Sequence, residues 1–269
     1  MRSTLKKRSL SRRRYRGVSL VETMVAVTVF SILMVTMTAG LRALALGASQ
    51  QVTDTGMGFD ARRGVDEMLA QMRYASGVVA FHTSPTKTYT TNGSTIVMQA
   101  AGYDPAAVSI ILPGVTDYII FEHDAVKKEI RETVIAGVGS KRVARSRYLL
   151  AKNVESIALT YRVRDQFEKP ISGVLPALSA KAVSAPSVTV NGESSSGAWA
   201  LGSPSQIQVS AGASGADVQV LYPVSASDAD ALGHVQQVDV AVNFSDIDSR
   251  KMARKLTMSG SVCLRNHRD

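Results

Sequence analysis

The chain has a single cysteine, Cys263, among 269 residues, so it cannot form an intrachain disulfide. The same scarcity excludes a cysteine-rich zinc site and a small domain held together by disulfides. Histidines are also few, and they show neither the HxH nor the HExxH spacing of a zinc site: they are His82, His123, His234 and His267. We therefore expect no metal site and no cofactor.

The sequence also lacks the motifs of common enzymes. There is no GxSxG and no glycine-rich loop that would cradle a phosphate. Asp228–Asp230 and Asp246–Asp248 could offer oxygens to calcium, but the other EF-hand positions are missing, and we interpret them as exposed turn carboxylates. His123 lies between Glu122 and Asp124, which we interpret as a solvated cluster. We expect no catalytic residue and no enzymatic activity.

Acidic residues are absent from the first 17 positions, which hold eight basic residues: Arg2, Lys6, Lys7, Arg8, Arg12, Arg13, Arg14 and Arg16. The rest of the chain therefore carries 31 − 8 = 23 basic residues against 22 acidic ones. The isoelectric point near 9.8 is a property of this first segment. A nucleic-acid-binding domain would need a basic face on the folded body, so nucleic acid is not the expected ligand.

Residues 18–41 form a long apolar run with one charge, Glu22. A helix of this length extends roughly 36 Å, enough to cross a hydrocarbon core of about 30 Å. The basic flank keeps the N-terminus in the cytoplasm and places the rest of the chain outside it. A secretory signal peptide and a plain single-pass anchor are alternatives. Neither explains Glu22, because a carboxylate costs about 2.5–3.5 kcal/mol at the bilayer centre unless it snorkels or finds a partner.

The segment Arg16-Gly17-Val18-Ser19-Leu20-Val21-Glu22-Thr23 resembles the processing site of type IV pilins and type II secretion pseudopilins. Val18 stands where phenylalanine or methionine is more common in that superfamily. The resemblance implies that a prepilin peptidase removes the basic leader 1–17 between Gly17 and Val18, then methylates the new amine of Val18. It also implies that Glu22 pairs with the N-terminal amine of a neighbouring subunit, which relieves the desolvation of both charges.

Residues 42–76 are predicted to continue the helix outside the membrane, with a bend or flexible point at Gly56-Met57-Gly58 and a stop at Gly77. An apolar stripe at i, i+3, i+4 and i+7 predicts that the 59–76 part lies against a sheet. Its members are Val65, Met68, Leu69 and Met72.

Period-two alternation after residue 77 predicts a β-rich domain over 77–269 and an α+β, pilin-like fold: one long helix packed on a mainly antiparallel sheet. The predicted strands are Thr95–Gln99, Ser109–Leu112, Tyr118–Glu122, Val126–Val134, Ile157–Val163, Val238–Phe244 and Leu256–Leu264. Residues 172–233 are rich in Ser, Ala and Gly. We interpret them as an insertion that forms a hairpin or small subdomain, with short strands at Gln206–Ser210 and Val218–Tyr222.

The β-rich part carries a second resemblance, to J-type minor pseudopilins of type II secretion and to W-like minor pilins. Four stretches carry it: Tyr148–Val154, Ile157–Tyr161, Val235–Phe244 and Thr257–Asn266. The 172–233 insertion interrupts the pattern between its second and third stretches.

We therefore expect a minor pseudopilin-like structural subunit of a type II secretion system, near the tip of a short periplasmic filament. The alternatives are a minor pilin of a type IV pilus or DNA-uptake filament, a single-pass membrane-anchored binding protein, and a membrane-anchored hydrolase. The expected partners are prepilin peptidase, other pseudopilins or minor pilins, an inner-membrane assembly platform and membrane lipid. The expected location is the bacterial inner membrane, with the N-terminus cytoplasmic and the C-terminal domain periplasmic.

Overall fold

The computed structural model of the chain describes residues 19–106, 110–169, 171, 177–194, 199–203, 206–209, 215–247 and 253–264. The chain divides into two compact units, Met1–Val52 and Thr53–Asp269. The basic leader, Gly17 and Val18 lie outside the described residues.

One long helix, α1 (Leu20–Met72), accounts for most of the helical structure that is described. It passes through Gly56-Met57-Gly58 without interruption, so the bend expected there is wrong; this stretch contains no proline to break the backbone ladder. The helix also ends before the expected residue 76. Ala75 starts a strand whose backbone pairs with another strand, and this pairing overrides the helical pattern.

In the part of the chain that the structure describes, fifteen strands and one short helix follow α1. The strands of the first half are β1 (Ala75–Val79), β2 (Phe81–Thr83), β3 (Thr88–Thr90), β4 (Thr95–Tyr103), β5 (Ile111–Asp124), β6 (Glu129–Ile135), β7 (Arg145–Ala151) and β8 (Val154–Phe167). The second half contains β9 (Ser187–Val190), β10 (Glu193–Ser194), β11 (Trp199–Ser203), β12 (Gln206–Val209), β13 (Val218–Val224), α2 (Ala229–Leu232), β14 (Gln237–Ile247) and β15 (Ala253–Cys263).

The strands form two main antiparallel sheets. Sheet A has the order β1-β4-β5-β6-β7, and sheet C has the order β10-β9-β13-β8-β14-β15. Two small hairpins, β2-β3 (sheet B) and β11-β12 (sheet D), complete the described strands. The expected α+β fold, with a long N-terminal apolar helix and mainly antiparallel sheets, is confirmed.

The predicted strands agree with the observed ones most closely where the alternation is strictest. In β8 and β14 every second residue is buried, including Leu159, Tyr161 and Val240. Val126–Val134 is only partly a strand, because a turn with Lys128 at a φ of 54° precedes β6. The expected strand at Ser109–Leu112 starts at Ile111, and its first residue lies outside the described ranges.

The segment 172–233 contains a hairpin, β11-β12, as expected, but another part of it joins sheet C. Its strand β13 pairs with β8 over seven residue pairs, from Val218 opposite Phe167 to Val224 opposite Tyr161, and β9 pairs with β13 in turn. Val220 and Tyr222 are fully buried. The segment therefore widens sheet C on the side of β8 that faces away from β14. The sequence reading missed this because strand pairing between distant segments leaves no local pattern.

The last turns of α1 are seated on the core of the second unit. Val65, Met68 and Met72 are buried, and Leu69 packs against the same cluster. A Cβ added to Gly64 would lie 2.7 Å from the carbonyl oxygen of Leu150 in β7. This helix therefore approaches the β7 backbone more closely than any side chain at position 64 would allow.

Candidate assembly site in the N-terminal helix

The first turn of α1 contains Glu22, the acid singled out in the sequence. The backbone amide of Ser19 donates a hydrogen bond to Oε2 of Glu22 at 3.4 Å, and the amide of Thr23 donates to the carbonyl of Ser19 at 3.1 Å. This is the geometry of Ser-x-x-Glu at a helix start, where the glutamate reaches back to the residue that precedes the helix. The carboxylate also lies at the positive end of the helix dipole.

The hydroxyls of the serine and threonine residues between positions 23 and 38 are bonded within the helix. The hydroxyls of Thr28, Ser31 and Thr38 each donate to the carbonyl four residues earlier, and Thr23 and Thr36 to the carbonyl three residues earlier. A hydroxyl satisfied in this way can face lipid without an unpaired polar group. The scattered Thr and Ser residues are therefore compatible with a membrane span.

The apolar side chains of the segment are exposed along its whole length. Every residue from 19 to 48 is exposed, including Phe30 at 64 % and Val35 at 69 %. Leu20–Ala48 is long and apolar enough to cross a membrane, with a mean hydropathy of 2.1 over its best window. This surface needs lipid or other apolar helices around it, as a single-pass inner-membrane anchor would have.

An ion bridge joins α1 to sheet A within the second unit. Nη1 of Arg145 in β7 lies 3.1 Å from Oε1 of Glu67 on the helix and 2.6 Å from Oε2 of Glu132 in β6. The guanidinium also lies over the ring of Tyr148, 4.7 Å from its centroid. The hydrogen bond to Glu132 raises the pKa of Arg145 above its ordinary value, and the bond to Glu67 adds to this.

Glu132 itself is fully buried, and its second oxygen, Oε1, has no hydrogen-bond partner among the described residues. A buried carboxylate depends on its cation, because losing that cation would leave an uncompensated charge. Arg145 therefore does two things at once: it neutralises a buried acid of the sheet and it ties Glu67 of the helix to that acid.

The acids flanking His123 do not form the solvated cluster expected from the sequence. Glu122 pairs with Lys87, and Oδ2 of Asp124 lies 3.3 Å from Nη2 of Arg147. Nε2 of His123 is 3.1 Å from the carbonyl oxygen of Val154, the first residue of β8. Each side chain thus has its own partner, and His123 connects sheet A to sheet C.

A second polar cluster joins the 172–233 segment to β8. The hydroxyl of Tyr222 donates to Oδ2 of the buried Asp165 at 2.8 Å, and the amide of Ser179 donates to the same oxygen at 2.7 Å. The hydroxyl of Ser179 donates to the other oxygen of Asp165, Oδ1. These bonds satisfy the acid and hold the inserted strand against the sheet.

Of the other sequence candidates, Asp228 accepts a hydrogen bond from the amide of Ala231 at the start of α2, and it is partly exposed. Within the described ranges no group of three or more His, Cys, Asp or Glu side chains is placed to hold a metal ion. The functional residues that the sequence reading missed are Gly64, Glu132 and Arg145. The only signal for Glu132 was an acid inside an apolar strand pattern.

Comparison with known proteins bears on the N-terminus. Residues 12–38 match the family model of the prokaryotic N-terminal methylation motif, which covers the end of the basic leader, Gly17, Glu22 and most of the apolar run. No curated protein and no solved structure matches the chain. The motif implies processing by prepilin peptidase and assembly with other pilins. With the apolar helix that follows, this motif gives the chain the type IV pilin-like signature of a pilin or pseudopilin precursor.

Proposed function

We propose that this chain is a minor pseudopilin-like subunit of a type II secretion system, assembled into a short periplasmic filament near its tip. The observation that carries the proposal is the methylation motif at residues 12–38, which overlaps an exposed apolar helix long enough to cross a membrane. The motif alone is shared by secretion, pilus and DNA-uptake filaments.

The order of strands in sheet C supports the J-like assignment. The stretches that resemble J-type minor pseudopilins fall on β7–β8, β14 and β15, and β8, β14 and β15 are neighbours in the sheet. The inserted strands lie on the other side of β8 and leave this three-strand set intact. The protein acts as a structural subunit and not as an enzyme.

In the assembled filament Glu22 pairs with the methylated amine of Val18 from a neighbouring subunit. Both groups lie in an apolar environment, where each would be costly alone and where an opposite charge offsets the desolvation. The pairing fixes the axial position of one subunit against the next. In the membrane before assembly, the Ser19 amide of the same chain donates a hydrogen bond to this carboxylate.

The end of α1 is packed firmly against the sheets of the second unit, so that helix and sheets move together. Gly64, Met68 and Met72 pack into the core, and Arg145 ties Glu67 to sheet A. A displacement of the helix segment 61–72 therefore moves the sheets with it. The β-rich body faces the periplasm. The subunit contacts other pseudopilins and an inner-membrane assembly platform, and its apolar helix contacts lipid.

Mass spectrometry of the mature N-terminus tests the proposal. In cells with prepilin peptidase we expect a chain that starts at N-methylated Val18, and a Gly17→Leu variant that remains as uncleaved precursor. A wild-type chain that still starts at Met1 would make it an ordinary anchored protein. Deleting the gene separates the machines: loss of protein secretion with intact pili supports the type II assignment, whereas loss of pili or of DNA uptake contradicts it.

A further inference from the structure

Strand β15 is the outer edge of sheet C. It pairs with β14 over eleven consecutive residue pairs without a register shift, from Gln237 opposite Cys263 to Ile247 opposite Ala253. It contains no proline and no bulge. Proteins usually protect long edge strands with such features, because the unpaired backbone groups of an edge can pair with another chain.

The hydrogen-bond pattern shows which residues of β15 face outward. The amide of Leu264 donates to the carbonyl of Gln236 at 2.7 Å, so these two opposite residues form a hydrogen-bonded pair. Such pairs alternate along an antiparallel ladder. The N–H and C=O groups that point away from β14 therefore belong to the intervening residues, which are Lys255, Thr257, Ser259, Ser261 and Cys263. These backbone groups have no partner among the described residues.

The last turn of α1 lies beside the end of this edge. Ala70, Arg73 and Tyr74 line a groove of about 480 Å³ together with Ser261–Cys263. Tyr74 is 66 % exposed and offers an aromatic surface. The Arg73 side chain has no ion pair or hydrogen bond to any described residue. The groove thus combines open backbone groups, an apolar platform and one cation that lacks a counter-charge.

The other edge strands in the described part of the chain are less suited to pairing with another chain. Strand β7, the far edge of sheet A, has its backbone covered at Leu150 by Gly64 of the helix. Strand β1 is five residues long and β10 is two. Only β15 joins length to an uncovered edge and to a neighbouring groove.

We propose that β15 is a docking edge for an extended segment of another protein, which adds to sheet C as a seventh strand and places a carboxylate against Arg73. Strand addition supplies main-chain hydrogen bonds, and the pockets for alternate side chains supply selectivity. The occupant is acidic because the Arg73 side chain has no counter-charge among the residues that the structure describes. A second copy of β15 fits poorly, since this strand contains Arg254 and Lys255 and no acid.

Hydrogen exchange on the purified full chain in detergent micelles gives the first test. We expect the amides of Thr257, Ser259 and Ser261 to exchange at least about tenfold faster than those of Met258 and Gly260, which bond to β14. Equal protection of both sets in the monodisperse protein would show that the edge is already closed, and it would overturn the proposal.

Cross-linking in cell membranes gives the second test. Cys263 is the single cysteine and is exposed, so a photo-reactive maleimide attaches at the edge. We expect the cross-linked peptide to come from another protein and to contain Asp or Glu. The yield should fall at least about fivefold in Arg73→Glu, which replaces attraction by repulsion. A cross-link to β15 of a second copy would overturn the acidic partner, as would an unchanged yield.

Ser259→Pro removes an outward N–H without touching the β14 ladder, and Ser259→Ala is its matched control because it keeps that group. We expect the cross-link to be lost in the proline variant alone. Should Ser259→Pro fail to fold, Arg73→Glu decides the question, since Arg73 is an exposed residue just after α1. Hydrogen exchange and cross-linking do not depend on N-terminal processing. A failure of this inference can therefore be told apart from a failure of the proposed function.

Discussion

The backbone amide of Ser19 donates a hydrogen bond to Oε2 of Glu22 at the start of the long apolar helix. The same carboxylate therefore has two possible uses, as the cap of its own helix and as the charge partner of a neighbouring amine. A cap needs only a hydrogen-bond acceptor, whereas an ion pair needs the negative charge. This difference makes the two uses separable by mutation.

We predict that Glu22→Gln is cleaved and methylated normally but enters filaments poorly. The amide side chain still accepts from the Ser19 N–H, and only the charge is lost. Glu22→Ala, which loses both, should assemble equally poorly, because the charge is what assembly uses. The measurement is the fraction of mature subunit recovered in sheared or cross-linked filaments. Wild-type assembly by Glu22→Gln would refute the pairing and leave capping as the role of this residue.

Gly64→Ala should destabilise the second unit by about 1–3 kcal/mol, because the new Cβ has to displace the Leu150 carbonyl or the helix. Gly56→Ala is the matched control. It lies in the same helix, where an added Cβ meets nothing within 4 Å, and there the change should stabilise by about 0.5–1 kcal/mol. The measurement is thermal unfolding of the full chain in micelles. Equal effects of the two variants would mean that the helix does not depend on close approach to β7.

Gly64 also shows where sequence reasoning ends. The stripe Val65, Met68 and Met72 could be predicted because the spacing of apolar residues follows from the helical repeat alone. The glycine beside it carries no such signal, since its importance comes from Leu150, which is far away in the sequence. The same holds for Arg145, whose three partners are spread over a helix and two strands.

The strands of the sheets also differ in how much of their structure the sequence predicts. Strands β8 and β14 were predictable because one face of each is buried and the alternation is strict. The strand Val218–Tyr222 was also predictable, but its place beside β8 was not, because only long-range pairing sets which strand it joins. The N-terminal methylation motif, by contrast, needed no folded context, because a linear sequence pattern defines it.

Arg145→Met should cost about 3–5 kcal/mol, because it leaves the fully buried Glu132 without a cation. The double variant Arg145→Met/Glu132→Leu should recover most of that loss, since the buried charge goes with its partner. Glu67→Gln alone should cost less than about 1 kcal/mol, as its carboxylate is partly exposed. Urea unfolding of the four proteins provides the comparison. A double variant no more stable than Arg145→Met alone would show that Glu132 does not depend on Arg145.

Stability should fall at alkaline pH through two buried tyrosines. Burial raises the pKa of Tyr161 and of Tyr222 above the ordinary value of 10.0. Above pH 10 the unfolded chain releases these protons while the folded chain keeps them, so the stabilisation is complete below pH 10 and is lost as the pH rises. The hydroxyl of Tyr161 donates to the carbonyl of Asn92 at 2.7 Å, which favours the protonated form.

Tyr161→Phe isolates one of these protons. At neutral pH we expect a loss of about 1 kcal/mol for the missing hydrogen bond. Between pH 10 and 11.5 the stability of the variant should decline less steeply than that of the wild type, by up to about 1.4 kcal/mol per pH unit. Tyr103→Phe, at a half-exposed residue, is the matched control for the removal of a tyrosine hydroxyl. Parallel curves for Tyr161→Phe and wild type would show that Tyr161 ionises alike in the folded and unfolded chains, because only a difference between the two states gives a slope.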